Sequence, residues 1–183
     1  MVKKILLSAA LLSLSMAAGV SANWLTGSPT VLAVSHGESA FQTALSNDQR
    51  LAVNLTASDS ASADIVFSTQ ASSSVLTLSG LPVEISSDDN QDAKVSITPL
   101  VNDGNGLRFY LIDTGKAAGA SIVSYKRGNF ATAFSTSAIP ENAVTSFEVT
   151  KKEVLLHVTQ NGSTETYSLS LNAKEGTFTA QKK

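Results

Sequence analysis

The chain has 183 residues, with 13 basic and 15 acidic side chains, two histidines and no cysteine. The missing thiols exclude disulfide staples, thiol redox work and thiolate metal sites. The scattered, slightly outnumbered cations exclude a nucleic-acid surface, which needs clustered Lys and Arg to displace counterions.

Residues 1–22 have the layout of a cleavable secretory leader. Lys3 and Lys4 form its positive start, residues 5–14 its apolar core, and Val20-Ser21-Ala22 the small side chains a leader peptidase reads. The apolar run is shorter than the ~20 residues of an anchoring helix. The sequence therefore predicts an exported protein with no membrane span in its mature form, addressed to the periplasm, the cell surface or the medium. Its short Met-Val-Lys-Lys opening is of bacterial type. Removing the leader leaves residues 23–183 as one domain and takes two lysines with it, so the formal net charge moves from −2 to −4.

One segment reads as helical. Ser35-His36-Gly37-Glu38 has capping-box spacing, and Ala40, Phe41, Ala44 and Leu45 follow on one helical face until Asn47-Asp48. The rest reads as short strands between Gly, Asn, Asp and Ser clusters. They are expected at 30–34, 50–56, 64–69, 74–79 and 83–86, with Gly80-Leu81-Pro82 bending the chain between the last two. Residues 94–101 and 107–114 form a hairpin that directs Leu107, Phe109 and Leu111 to the core. Residues 121–126 and 130–134 flank a turn at Arg127-Gly128-Asn129. In residues 154–171 an Asn161-Gly162 turn of type I′ fixes the register, pairing Gln160 with Ser163, Val158 with Glu165, Leu156 with Tyr167 and Val154 with Leu169. A last turn at Lys174-Glu175-Gly176 leads to a strand at 177–180. About twelve strands predict an all-β fold, an antiparallel β-sandwich of immunoglobulin-like or jelly-roll type with one short helix near the N-terminus.

Few motifs carry chemistry. His157 falls on the polar face opposite Thr166, and His36 in the capping segment. No Gly-x-Ser-x-Gly elbow is present. Asp88, Asn90 and Asp92 have the alternate spacing of oxygen ligands around calcium, and Asp103 from the next loop is a further candidate ligand. Calcium is the only cofactor the sequence suggests. Tyr110 and Tyr125 fall on alternate positions, where flat rings on an open sheet would hold a sugar; packing under a loop is the other reading. Trp24 is expected to dock the mature N-terminus onto the sandwich.

The segment Tyr125-Lys126-Arg127-Gly128-Asn129-Phe130 resembles the Tyr-Phe-Lys-Ala-Gly strand motif of jelly-roll alginate lyases, and residues 147–171 resemble the hairpin those enzymes carry. In that family the motif follows the hairpin, whereas here it precedes it. The Arg-rich strand and Gln-x-His segment that bear the chemistry are missing, so no catalytic residue carries over. The chain is also similar to bacterial pilus subunits in being an exported β-sandwich, with an alternating segment at 30–34 but without their disulfide. Three functions follow as expectations: a non-catalytic module that binds a protein or glycan partner in the periplasm or at the cell surface, a carbohydrate-binding or carbohydrate-active domain, and a fibre subunit assembled by strand addition.

Overall fold

A computed structural model describes residues 23–35, 38–43, 51–58, 62–69, 74–83, 92–116, 119–136, 139 and 142–183. The expected leader lies outside these residues. Among them there are fourteen strands and no α-helix. In the first half these are β1 (Trp24–Thr26), β2 (Thr30–Val34), β3 (Ser39–Thr43), β4 (Leu51–Ser58), β5 (Ser62–Thr69), β6 (Val75–Pro82) and β7 (Ala93–Asn102). The second half adds β8 (Leu107–Asp113), β9 (Ser121–Lys126), β10 (Asn129–Ser135), β11 (Val144–Val149), β12 (Val154–Gln160), β13 (Ser163–Asn172) and β14 (Thr177–Lys182).

All pairings are antiparallel, in three sheets. Two are four-stranded meanders, β3-β4-β5-β6 and β11-β12-β13-β14. The third has six strands in the order β1-β7-β8-β9-β10, with β2 also paired to β7. This third sheet is the middle layer, because its successive residues point into two different cores. In β8, Tyr110 and Ile112 join Ile65 and Phe67 of β5 and Leu78 of β6 in one core. Phe109 and Leu111 join Leu156 of β12, Leu169 of β13 and Phe178 of β14 in the other. Strand β9 divides likewise, Val123 to the first core and Ile122 to the second. A strand covered on both faces needs apolar side chains at every position, and the run Phe109-Tyr110-Leu111-Ile112 supplies them. Each core holds a group of packed aromatics among its aliphatic side chains. Phe67 lies 6.1 Å from Tyr110 and 5.6 Å from Phe130, ring centre to ring centre, and Phe109 lies 6.0 Å from Trp24 and 5.0 Å from Phe178.

The Asn161-Gly162 hairpin has the register read from its sequence at all four predicted pairs. Asn161 and Gly162 both have positive φ, 52° and 75°, as a type I′ turn requires. Trp24 is buried and docks the N-terminal strand as expected.

Two expectations change. The helix expected from Ser35 is replaced at Ser39–Thr43 by β3, which pairs with β4 along its length. His36 and residues 44–50 lie outside the described residues. The Ser35 hydroxyl, the supposed cap, donates instead to Asp92 at 2.8 Å. Pairing along β4 and the core contact of Ala40 outweigh the local helix pattern, since tertiary context overrides propensity. Gly80 also does not end its strand, because β6 runs on to Pro82 through a bulge opposite Asp64. Gly80 takes φ of 65° there, and its amide donates to Asp64 Oδ1 at 2.8 Å.

Candidate functional site

The β9–β10 hairpin turns on two residues only, because Lys126 pairs directly with Asn129. Arg127 and Gly128 therefore occupy the type I′ positions, with φ of 54° and 84°. Gly and Asn accept that conformation readily, whereas an arginine is strained there. Beside this turn lies a cleft of about 330 Å³. Lys126 and Arg127 line it from the hairpin tip, and Arg108, at the start of β8, is also among its lining residues. Leu107 and Ala131 are among its apolar lining residues, and Ser124 and Asn129 among its polar ones.

The fourth side comes from a different sheet. The turn between β13 and β14 is held by Asn172, whose Oδ1 accepts the Lys174 amide at 3.2 Å and the Glu175 amide at 3.3 Å. Gly176 then takes φ of 73° and comes so close to β9 that an added Cβ would lie 4.0 Å from Ser124. This brings Glu175 to the rim opposite the cations. Three basic residues and one acidic residue thus contribute to the lining of one cleft, in a chain that is net acidic.

Of the sequence-predicted ligand residues, Tyr110 is 2% exposed and packs on Phe67, so it has no free face. Tyr125 is 8% exposed, with its ring 4.8 Å from Phe130 in the first core. Both lie between layers because the sheet that carries them has no wet face over these positions. Of the calcium candidates, Asp88 and Asn90 lie outside the described residues. Asp92 accepts the Ser35 hydroxyl, and Asp103 accepts the amide and side chain of Asn23. Asp92 and Asp103 flank the two ends of β7, a ten-residue strand that at ~3.3 Å per residue holds them some 30 Å apart. They do not share a cation. Among the described residues no group of three or more His, Asp or Glu side chains is placed to hold a metal.

His157 does bring polar groups together. Its Nδ1 lies 3.0 Å from Thr166 Oγ1, and its Nε2 lies 2.9 Å from Glu148 Oε2. Carboxylate, imidazole and hydroxyl are the components of a nucleophilic relay. Thr166, however, sits on an inner strand of the outer sheet, between β12 and β14, with its backbone in ladders on both sides. The geometry ties three strands together across the outward face.

A second network explains Glu165 on the otherwise apolar side of this sheet. Its carboxylate accepts Tyr167 Oη–H at 2.6 Å and the Lys182 ammonium. The Lys182 bond, and then the Tyr167 bond, hold the Glu165 carboxyl below its ordinary range. The Tyr167 phenol is pushed up to about 12, first by its bond to Glu165 and then by burial. The fold thus favours the protonated phenol. That stabilisation is complete below the ordinary value of 10.0 and is lost as pH rises from there to about 12. Tyr167→Phe is expected to flatten the stability–pH profile in this window. Urea unfolding across it checks this, and an unchanged slope would show that Tyr167 is not the group responsible.

In comparisons with known proteins, no family model matches the chain, and neither does any curated protein or solved structure.

Proposed function

We propose that this chain is an exported, non-catalytic β-sandwich module of the periplasm or cell surface, and that it binds an anionic glycan in the cleft at the β9–β10 tip. The observation that carries this reading is the cleft lined at the hairpin tip by Lys126 and Arg127, with Arg108 also in its lining and Arg127 kept at positive φ. Backbone strain of this kind persists where the strained side chain has a task. Arginine presents a planar fork that fits a carboxylate or sulfate. Ser124 and Asn129 offer hydrogen bonds to sugar hydroxyls. The volume, at the low end of the ~300–1,000 Å³ usual for ligand pockets, suits about one sugar residue of a longer chain. Trp24–Thr26 and Thr30–Val34, from which a donor strand would come, are both paired to β7 of their own chain. That favours a self-contained module over a fibre subunit.

Arg127→Asn separates binding from folding. Asparagine accepts the turn better than arginine, so stability is expected to hold or rise by a few tenths of a kcal/mol. Affinity for a uronic-acid oligosaccharide is expected to fall about tenfold, the worth of one charge-assisted hydrogen bond. Titration calorimetry with that probe and with a neutral oligosaccharide of equal length measures both effects. Equal affinity of wild type and variant, or of the two probes, would overturn the assignment.

A further inference from the structure

The turn after β7 grips the main chain at Asn23. The Asn23 nitrogen donates to Asp103 Oδ1, its side-chain Nδ2 donates to Oδ2 at 3.2 Å, and the Asp103 amide donates back to the Asn23 carbonyl at 3.0 Å. One residue on, the Trp24 amide donates to the Lys151 carbonyl at 2.9 Å, and the indole is buried against Phe109 and Phe178. Chain ends ordinarily fray unless tied down. Here a carboxylate 80 positions away in sequence is aimed at one backbone nitrogen. That nitrogen follows Ala22, the last of the small residues in Val20-Ser21-Ala22.

We propose that a leader peptidase hydrolyses the Ala22–Asn23 bond and that the new α-ammonium of Asn23 forms an ion pair with Asp103. Water gives its hydroxyl to the Ala22 carbonyl carbon and a proton to the Asn23 nitrogen. The amine takes a further proton from solvent, its ordinary pKa being about 7.7–8.0. The nitrogen stays where it is, but a neutral donor becomes a charged one facing a carboxylate. Processing thereby fastens β1 to the edge of the middle sheet. The other charged groups nearby are Lys151, Lys152 and Glu153 of the turn that accepts the Trp24 amide, and Glu153 is engaged by Lys183 at 2.7 Å.

The inference rests on the export reading, and the test separates the two. The full 183-residue precursor is produced in a bacterial host, and the protein is recovered from each cell fraction for intact-mass measurement. The expected product is exported and begins at Asn23. Its terminal amine, labelled with an acylating ester near neutral pH and located by peptide mapping, is expected to react about tenfold more slowly than that of Asp103→Asn, one pKa unit being a factor of ten. Asp103→Asn is expected to melt about 2 °C lower. Equal labelling of wild type and variant would overturn the ion pair while leaving export intact. A product that starts at another residue would overturn the docking site, and a precursor retained uncut in the cytoplasm would overturn the export reading as well. Should Asp103→Asn fail to fold, Asp103→Ser read by the same labelling replaces it.

Discussion

Phe109→Ala is expected to lower the free energy of unfolding by about 4 kcal/mol. Phe109 is 1% exposed and packs edge-on against the other two buried aromatics of its core, meeting Trp24 at 61° and Phe178 at 68°. Truncation removes the transfer free energy of the ring and leaves a cavity that the rigid strands around it fill poorly. It also removes two edge-to-face contacts worth about 0.5–1.5 kcal/mol each beyond area. Leu100 and Leu111 flank it on the same face and are already packed. Urea unfolding followed by circular dichroism measures the loss. A cost under about 1.5 kcal/mol would mean that the three layers are not packed as described.

Gly119→Ala is expected to cost about 3 kcal/mol through overpacking. A Cβ at this position would collide with Thr114 Oγ1 and lie 2.5 Å from the Pro82 carbonyl oxygen. Pro82 ends β6 and Thr114 follows β8, so the methyl group would wedge an outer sheet away from the middle one. The Thr114 hydroxyl is buried and has no hydrogen-bond partner among the described residues. Adding Thr114→Ala is expected to recover only part of the loss, because the Pro82 carbonyl stays in place. Thermal unfolding of the single and double variants decides the matter. Full recovery would show that the side chain, and not the backbone, sets the limit.

What the sequence revealed and what it hid have a common cause. The Asn161-Gly162 hairpin was readable to the residue because its turn is local and its two faces differ in polarity, so a one-residue slip would expose Val154, Leu156 and Val158. The hairpin of β7 and β8 was readable from its local Asn- and Gly-rich turn, and it already places Asp92 and Asp103 at opposite ends of a strand. The alternation rule failed where its premise of one wet face failed. For Tyr110 and Tyr125 alternation leaves an outward position open, because the second covering sheet is invisible in a period-two pattern, although four consecutive apolar residues in β8 are a sign of it. Ser39–Thr43 shows the opposite weakness, a capping-box spacing overridden by pairing along β4. The cleft escaped because its parts come from β8, the β9–β10 turn and the β13–β14 turn, which only folding brings together. Its one local sign was Arg-Gly in a two-residue turn, where Asn-Gly is the easy choice.

Trp24 is the only tryptophan in the chain, and it lies in one of the two cores that share the middle sheet. Its emission is therefore a private optical channel for that compartment, while Phe67, Tyr110 and Phe130 leave the other one dark at the same wavelengths. Backbone ellipticity sums all the sheets. If heating dissolved one half before the other, the fluorescence and ellipticity curves would part company, whereas their superposition would mark a wall so shared that neither room can empty alone.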